Sequence, residues 1–245
     1  MIDWDRYEAV FFDAGGTLFY PYPSVGEIYG CVAGRYGCRA EPAEIEARFR
    51  EVWLRHDGLG GLVSKSSEKI EKEWWHELVT EVFSGFPPIR GFESFFEELY
   101  LLFGSPSVWR LYPSVKEILA AFKQRGKVLG MISNWDSRLF QLCEGLGLKP
   151  YFDFILASAV FGAAKPSPKI FREALYLAGV EPDRAVHIGD SYADDVRGCL
   201  AVGIQPVLIN RHPERKDFGN GEELPVPVFH DLAELPDLPS KLDMP

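Results

Sequence analysis

Five short apolar segments lie along the chain, and each is bounded by glycine, proline, asparagine, aspartate or serine. Runs of this kind are typical of strands that are buried on both faces of a parallel sheet. The predicted strands cover residues 9–13, 127–133, 152–158, 185–190 and 205–210.

Helical patterns separate the last four predicted strands. They cover residues 136–147, 167–179 and 192–203, and each ends at a glycine, as helices commonly do. A further helical pattern at 113–125 precedes the second strand. Strands that alternate with helices in this way form right-handed β-α-β crossovers. The sequence therefore predicts an α/β protein with a doubly wound, parallel, Rossmann-like sheet.

A helical stretch interrupts this alternation after the first strand. Its predicted helices cover residues 24–36, 42–56, 66–83 and 92–103. The stretch is rich in tryptophan and phenylalanine, which we interpret as its own hydrophobic core. We therefore predict a Rossmann-like core formed by residues 1–19 and 110–245, with a helical insert at 20–109. The proline-rich tail from residue 211 is predicted to be irregular, with a short helix near 232–235.

Composition and charge exclude several classes of protein. The chain has 245 residues and a formal net charge of −10, without the basic stripe that a nucleic-acid binder needs. The longest nearly uncharged run, 154–164, is too short to cross a membrane, and charges within the first ten residues argue against a signal peptide. The four cysteines show no metal-ligand spacing, and we expect them to be reduced. These features predict a cytoplasmic protein without nucleic-acid or membrane partners, and they leave the oligomeric state open.

Polar residues follow four of the five predicted strands. In open α/β sheets, ligands bind at the carboxyl ends of the strands, so these residues are expected to converge. Each of them alone could simply cap a turn or a helix, but their convergence indicates a functional site. In chain order they are Asp13, then Ser133 and Asn134, then Lys165, and finally Asp190 and Asp195.

This combination of groups suits phosphoryl chemistry. Neighbouring carboxylates repel each other unless a divalent cation neutralises them, and ligands that are all oxygen favour Mg²⁺. Asp13, kept ionised by the metal and by Lys165, can attack phosphorus as a nucleophile. Gly15 and Gly16 allow a tight turn whose amides approach phosphate oxygens. The hydroxyl, amide and ammonium groups at the other strand ends supply donors to the transferring group.

Four segments of the chain carry these groups, in the order Phe11-Phe12-Asp13-Ala14-Gly15-Gly16-Thr17-Leu18, Ile132-Ser133-Asn134, Lys165-Pro166 and Gly189-Asp190-Ser191-Tyr192-Ala193-Asp194-Asp195. In this order they resemble the four motifs of the haloacid dehalogenase superfamily. The helical insert lies where the first type of cap domain belongs in that superfamily. Among the groups of the superfamily, residues 132–136, 152–155 and 165–175 are similar to that of haloacid dehalogenase-like hydrolase domain-containing protein 3.

The resemblance implies a metal site and a nucleophile. Asp13 would be both nucleophile and metal ligand, and the Gly15 carbonyl and Asp190 would complete the protein's share of the Mg²⁺ ligands. Asp195 would orient metal-bound waters or Lys165. Asp13 and Lys165 are thus the expected catalytic residues.

The resemblance also implies a phosphate site. Ala14, Ser133, Asn134 and Lys165 would bind the phosphate of a small phosphorylated metabolite. Thr17 is expected to support the loop. Asp194 is expected to lie at the surface. His187 is expected to be a buried strand residue.

One position departs from the superfamily pattern. Its phosphatases usually carry a second aspartate two residues after the nucleophile, and this general acid protonates the leaving oxygen. Here that position is Gly15. General acid catalysis contributes ~10²–10⁴-fold, so an alkyl phosphate should be a poor substrate and an acyl or aryl phosphate a better one. The glycine is expected to leave room for a cap residue or a substrate group.

Three other functions remain open from the sequence. A 2-haloacid dehalogenase needs no acid, because halide leaves without a proton, but it has no use for Asp190. A phosphonate-cleaving enzyme would need a cap lysine, for which Lys65, Lys69 and Lys72 are the candidates. A catalytically weak module that binds a phospholigand or a protein partner would keep the same fold. Specificity contacts are expected near residues 20–26 and 58–61 of the cap.

Overall fold

The computed structural model describes residues 2–62, 67–211 and 226–235. The strands of this part of the chain are β1 (Ala9–Phe12), β2 (Phe19–Pro21), β3 (Trp109–Leu111), β4 (Val128–Ser133), β5 (Phe154–Ala157), β6 (Ala185–Gly189), β7 (Gln205–Ile209) and β8 (Val228–Phe229). The helices are α1 (Val25–Arg35), α2 (Pro42–Arg55), α3 (Glu68–Phe83), α4 (Phe92–Phe103), α5 (Val115–Gln124), α6 (Arg138–Gly145), α7 (Ser158–Phe161), α8 (Pro168–Ala178) and α9 (Arg197–Leu200).

Six of the described strands form one parallel sheet in the order β5-β4-β1-β6-β7-β8. All four residues of the central strand β1 are fully buried, as the continuous apolar run at its position requires. The predicted α/β fold with a doubly wound, Rossmann-like sheet is confirmed. The sequence did not predict β8, because its two residues lie in a tail that is otherwise rich in proline.

The helices between β2 and β3 share a hydrophobic cluster of their own. It is built on fully buried side chains such as Val52, Leu78 and Phe95. At the base of these helices, β2 and β3 pair antiparallel, with Phe19 opposite Leu111. Both expected domain boundaries, 19/20 and 109/110, fall within this ribbon. Sequence patterns missed it, because three-residue strands show too little alternation to be recognised.

The prediction of a single helix over residues 192–203 is wrong in the type and length of the helix. Tyr192–Val196 is a π-helical turn, and only Arg197–Leu200 is α-helical. The Ser191 hydroxyl accepts a hydrogen bond from the Asp194 amide at 3.1 Å, which fixes the start of the turn. Such wide turns frequently occur at functional sites, and this one carries Asp195. None of the helices in the described ranges is long and apolar enough to span a bilayer.

Candidate active site

Asp13, the nucleophile expected from the sequence, lies at the end of the central strand. The Asp13 amide donates to the Ile188 carbonyl at 2.9 Å, which continues the sheet by one residue. The Asp13 side chain is buried, with 6% of the residue exposed. Its Oδ1 atom accepts hydrogen bonds from Ser133 Oγ at 3.0 Å and from Lys165 Nζ at 2.6 Å. The structure therefore brings together three residues that the sequence predicts to meet.

Lys165 is a buried cation held between two carboxylates. Its Nζ lies 2.6 Å from Asp13 Oδ1 and 2.6 Å from Asp195 Oδ1. Burial alone would lower the pKa of Lys165, but the charges of Asp13 and Asp195 raise it above its ordinary value. Lys165 is thus charged at neutral pH. Asn134 fixes its backbone, since Oδ1 accepts from the Lys165 amide at 2.7 Å and Nδ2 donates to its carbonyl at 3.0 Å.

Asp195 is held at three points. Its Oδ1 atom bonds Lys165 and also lies 2.8 Å from His187 Nε2, while Oδ2 accepts from the Ser191 amide at 2.9 Å. Burial opposes the charge of Asp195, but Lys165 and His187 outweigh it and lower its pKa. A Cβ at Gly189 would come within 2.2 Å of the Asp195 carboxyl carbon, so only glycine leaves room for this carboxylate against β6. His187 is the buried strand residue expected from the sequence; its contact with Asp195 was not predicted.

Asp190 completes a cluster of carboxylates. One oxygen from each of Asp13, Asp190 and Asp195 lies within 4.8 Å of the others. Burial and the charges of Asp13 and Asp195 raise the pKa of Asp190 well above its ordinary value. A divalent cation would remove this repulsion, and three carboxylates are donors that suit Mg²⁺. The residues present therefore fit the expected metal. At Gly16, φ is +84° and a Cβ would lie 2.2 Å from Asp190 Oδ2, so glycine is required there.

The remaining predicted residues lie around this cluster. Ala14 is fully buried, and its carbonyl accepts from the Leu18 amide at 2.8 Å. Thr17 supports the loop as expected, with its hydroxyl 3.4 Å from Asp190 Oδ1. Asp194 was expected at the surface, but it is half-buried and lines the same cavity as Asp13. Burial raises the pKa of its carboxyl group.

A cavity of about 380 Å³ adjoins the carboxylate cluster. Its end at the carboxylate cluster is polar, and its other walls are mainly aromatic. The aromatic side chains include Phe49, Trp53, Trp75, Phe103, Trp109 and Trp135. The sequence interpretation of the aromatic residues as the core of the insert is therefore incomplete, because several of them form a wall of this cavity.

Comparisons with known proteins agree with this geometry. The family model described as "haloacid dehalogenase-like hydrolase" matches residues 7–203. The chain belongs to this family. A curated relative from Bos taurus, "Haloacid dehalogenase-like hydrolase domain-containing protein 3", is 35% identical over 94% of this chain and 92% of its own length. The resemblance to that group, which the sequence motifs predict, is confirmed.

Solved structures that resemble this chain include a phosphatase and a dehalogenase. A HAD phosphatase from Thermococcus onnurineus is 26% identical, with a TM-score of 0.59 over 85% of this chain and 88% of its own. The L-2-haloacid dehalogenase from Xanthobacter autotrophicus is 21% identical, with a TM-score of 0.63 over 85% of this chain and 79% of its own. The second likeness concerns the fold alone.

In this haloacid dehalogenase-like hydrolase, the side chain of Trp135 occupies the space beside Gly15. A Cβ on Gly15 would lie 2.8 Å from Trp135 Cζ3. The indole in turn packs against Phe19 at 5.6 Å and Trp109 at 5.4 Å between ring centroids. Trp135 therefore occupies the position of a side chain at residue 15, where room for a cap residue or a substrate group was expected, although Gly15 also lines the cavity. Trp135 follows directly on Ser133 and Asn134, but nothing local in the sequence shows that it reaches residue 15.

Three lysines of the insert were considered for phosphonate cleavage, and the two that the structure describes do not reach the site. Lys69 pairs with Glu73 and Lys72 with Glu97, and neither lysine lines the cavity. Lys65 lies outside the described residues.

A second polar network joins the helical insert to the loop that follows Trp135. Asp136 is fully buried and accepts hydrogen bonds from Trp75 Nε1 at 2.7 Å and from Arg138 Nη2 at 2.6 Å. The buried Glu71 carboxylate accepts from the amide and the hydroxyl of Ser137. The network ties α3 to the start of α6, and sequence patterns give no sign of it because its partners are more than 60 residues apart.

Proposed function

We propose that this protein is an Mg²⁺-dependent phosphatase that acts on a small phosphorylated metabolite through an aspartyl-phosphate on Asp13. The observation that carries the proposal is the Asp13–Lys165–Asp195 arrangement beside Asp190. A buried lysine and three crowded carboxylates form a site for a cation and a dianion together. The cytoplasmic location predicted from the sequence is part of this proposal, and the four free cysteines support it.

The first chemical step is an attack by Asp13. Ser133 and Lys165 both bond Oδ1 and orient the carboxylate, so Oδ2, which neither of them contacts, is the attacking atom. The new bond joins Oδ2 to phosphorus, and the bond from phosphorus to the leaving oxygen breaks with its electron pair. Lys165 offsets negative charge on Asp13 and on the phosphoryl group. Mg²⁺, held by Asp13, Asp190 and the Gly15 carbonyl and positioned by Asp195, would supply the remaining neutralising charge.

The second step returns the enzyme to its starting state. Water attacks phosphorus, the acyl phosphate bond breaks, and inorganic phosphate leaves with the Asp13 carboxylate restored. His187 and Ser191 hold Asp195, and Asp195 in turn holds Lys165. The ammonium group of Lys165 therefore stays in place through both steps. Gly15 offers no proton to the leaving group, and this favours substrates whose leaving oxygen is already stable as an anion.

Dehalogenation is the second candidate, because the missing acid at residue 15 does not hinder halide release. Two observations weigh against it. Burial and the charges of Asp13 and Asp195 raise the pKa of Asp190, so this cluster favours a bound cation, and halide displacement has no step that uses one. Apart from Lys165, the cavity-lining cation of the described chain is Arg138, and it is paired with the buried Asp136 and not with the Asp13 cluster, so a haloacid carboxylate would have no cation of its own.

Hydrolysis assays separate these functions. Acetyl phosphate, p-nitrophenyl phosphate and a simple alkyl phosphate are each tested with Mg²⁺ and with a chelator, and 2-chloropropionate is tested for halide release. We expect Mg²⁺-dependent phosphate release from the first two, lost in Asp13→Asn. Halide release would establish the dehalogenase instead. Binding of Mg²⁺ and phosphate without any turnover would favour the catalytically weak module.

A further inference from the structure

Part of the aromatic wall of the cavity comes from helices α2 and α3 of the insert. Phe49 and Trp53 lie on α2, one turn apart, with their rings stacked at 5.7 Å between centroids and 23° between planes. Trp75 on α3 continues the surface, 5.8 Å from Trp53 at 32°. Surfaces of this kind bind flat rings by offset stacking or edge contacts.

The side chains of Phe49, Trp53 and Trp75 are uncharged, and the cation of the described lining that contacts them, Arg138, lies 5.0 Å from the centroid of the Trp75 ring. The carboxylates that line the cavity are Asp13, Asp190, Asp194 and Asp195, all from the catalytic strand ends. The cation nearest the wall, Arg138, is bonded through Nε and Nη2 to Asp136. A second phosphate or a carboxylate on the substrate would therefore find no unpaired cation among the described lining residues. The wall suits an uncharged group.

The leaving-group chemistry points to the same kind of substrate. With Trp135 against Gly15, the enzyme has no carboxyl group at that position to protonate the departing oxygen. A phenol has a pKa near ~10, so a phenolate leaves without prior protonation far more readily than an alkoxide. An acyl phosphate also has a good leaving group, but a small one such as acetyl phosphate brings no flat ring to the aromatic wall.

We propose that the substrate is an aryl phosphate, the phosphate monoester of an uncharged one- or two-ring phenol. The phosphate would lie at Asp13 and the ring against Phe49, Trp53 and Trp75. This inference rests on the proposed function. The oxygen–phosphorus bond breaks, the phenolate takes the electron pair, and it gains its proton from water after it leaves.

Kinetics of matched substrates and variants test the inference. Three substrates, 2-naphthyl phosphate, acetyl phosphate and 2-phenylethyl phosphate, separate ring binding from leaving-group quality. Phe49→Leu should lower kcat/KM for 2-naphthyl phosphate about 2- to 12-fold, chiefly through KM, because a ring contact is lost. The loss for acetyl phosphate, which has no ring to contact Phe49, should be clearly smaller. Phe92→Leu is the matched control, because Phe92 is an equally half-buried ring of the insert that does not line the cavity.

An inhibition experiment on the unmodified protein keeps the inference testable if Phe49→Leu does not fold. Benzylphosphonate and cyclohexylmethylphosphonate have similar size, but only the first has a flat aromatic ring. We expect benzylphosphonate to inhibit acetyl phosphate hydrolysis more tightly. Equal inhibition by the two, or an equal loss with both substrates in Phe49→Leu, would overturn the aryl assignment while leaving the phosphatase intact. Absence of Mg²⁺-dependent release from every substrate would overturn the phosphatase and the aryl assignment together.

Discussion

Restoring the missing carboxylate at residue 15 requires two substitutions. Gly15→Asp alone places a Cβ 2.8 Å from Trp135 Cζ3, so the indole must move from its packing against Phe19 and Trp109. Overpacking of this kind costs about 1–3 kcal/mol. In a chain of this size, each kcal/mol lowers Tm by about 2–4 °C. Gly15→Asp combined with Trp135→Leu removes the overlap. The free energy of unfolding lost in the double variant should therefore be about 0.5–3 kcal/mol smaller than the sum of the losses in the two single variants.

The activity of the double variant tests the role of the missing acid. An aspartate at position 15 can donate a proton to the leaving oxygen, and general acids contribute ~10²–10⁴-fold where protonation limits the rate. We expect kcat/KM for 2-phenylethyl phosphate to rise at least about tenfold, which is less than the full effect of a general acid because the introduced carboxyl group is not ideally placed. The gain for 2-naphthyl phosphate should be much smaller, because its phenolate leaves without a proton.

The matched control is Gly15→Asn with Trp135→Leu, which has nearly the same shape and no acidic proton. Urea unfolding of the unchanged protein, the two single variants and the double variant gives their free energies of unfolding, and assays of phosphate release give the rates. Equal gains for alkyl and aryl substrates, or the same gain with asparagine, would refute the reasoning about protonation. Strictly additive stabilities would refute the reasoning about the overlap.

The remaining predictions concern the metal, the support of Asp195 and the thiols. Saturating Mg²⁺, at about 100 times its Kd, should stabilise the protein by ~2.7 kcal/mol in thermal unfolding. Asp190→Asn should lose this stabilisation by Mg²⁺. Without metal the variant should be no less stable than the unchanged protein, because one of three crowded carboxylates is gone. A stabilisation by Mg²⁺ that Asp190→Asn leaves undiminished would contradict the metal site. Gly189→Ala should displace Asp195 from Lys165 and cost about 3–5 kcal/mol in urea unfolding, whereas a neutral effect argues against the close contact. Thiol titration of the native protein should find one fast-reacting cysteine, Cys31, because the other three are buried; a second fast thiol contradicts the fold around them.

The sequence predicts the sheet and the position of the site because both depend on local patterns and simple topology. Apolar runs such as that ending at Asp13 mark buried strands, and parallel strands bring their carboxyl ends to one edge. Asp13, Ser133, Lys165 and Asp195 therefore meet as expected, although they are spread over most of the chain.

Contacts between side chains from distant segments were not predictable in this way. Trp135 against Gly15 depends on a rotamer and on the rings that pack behind it, and no periodicity reports either. The bond from His187 to Asp195 depends on a π turn that a helical pattern does not distinguish from an α-helix. The ties of Asp136 to α3 join the insert to the core across a gap of 61 residues. Each of these contacts is a property of the assembled fold.

Detection of the covalent intermediate tests the central claim most directly. The protein is mixed with 2-naphthyl phosphate and Mg²⁺, quenched in acid within one turnover, digested and examined by mass spectrometry. The proposed function predicts a phosphoryl group on the peptide that contains Asp13, absent with chelator and absent in Asp13→Asn. Turnover without a phosphoryl group at Asp13, or with one on another residue, would contradict the assignment of Asp13 as the nucleophile.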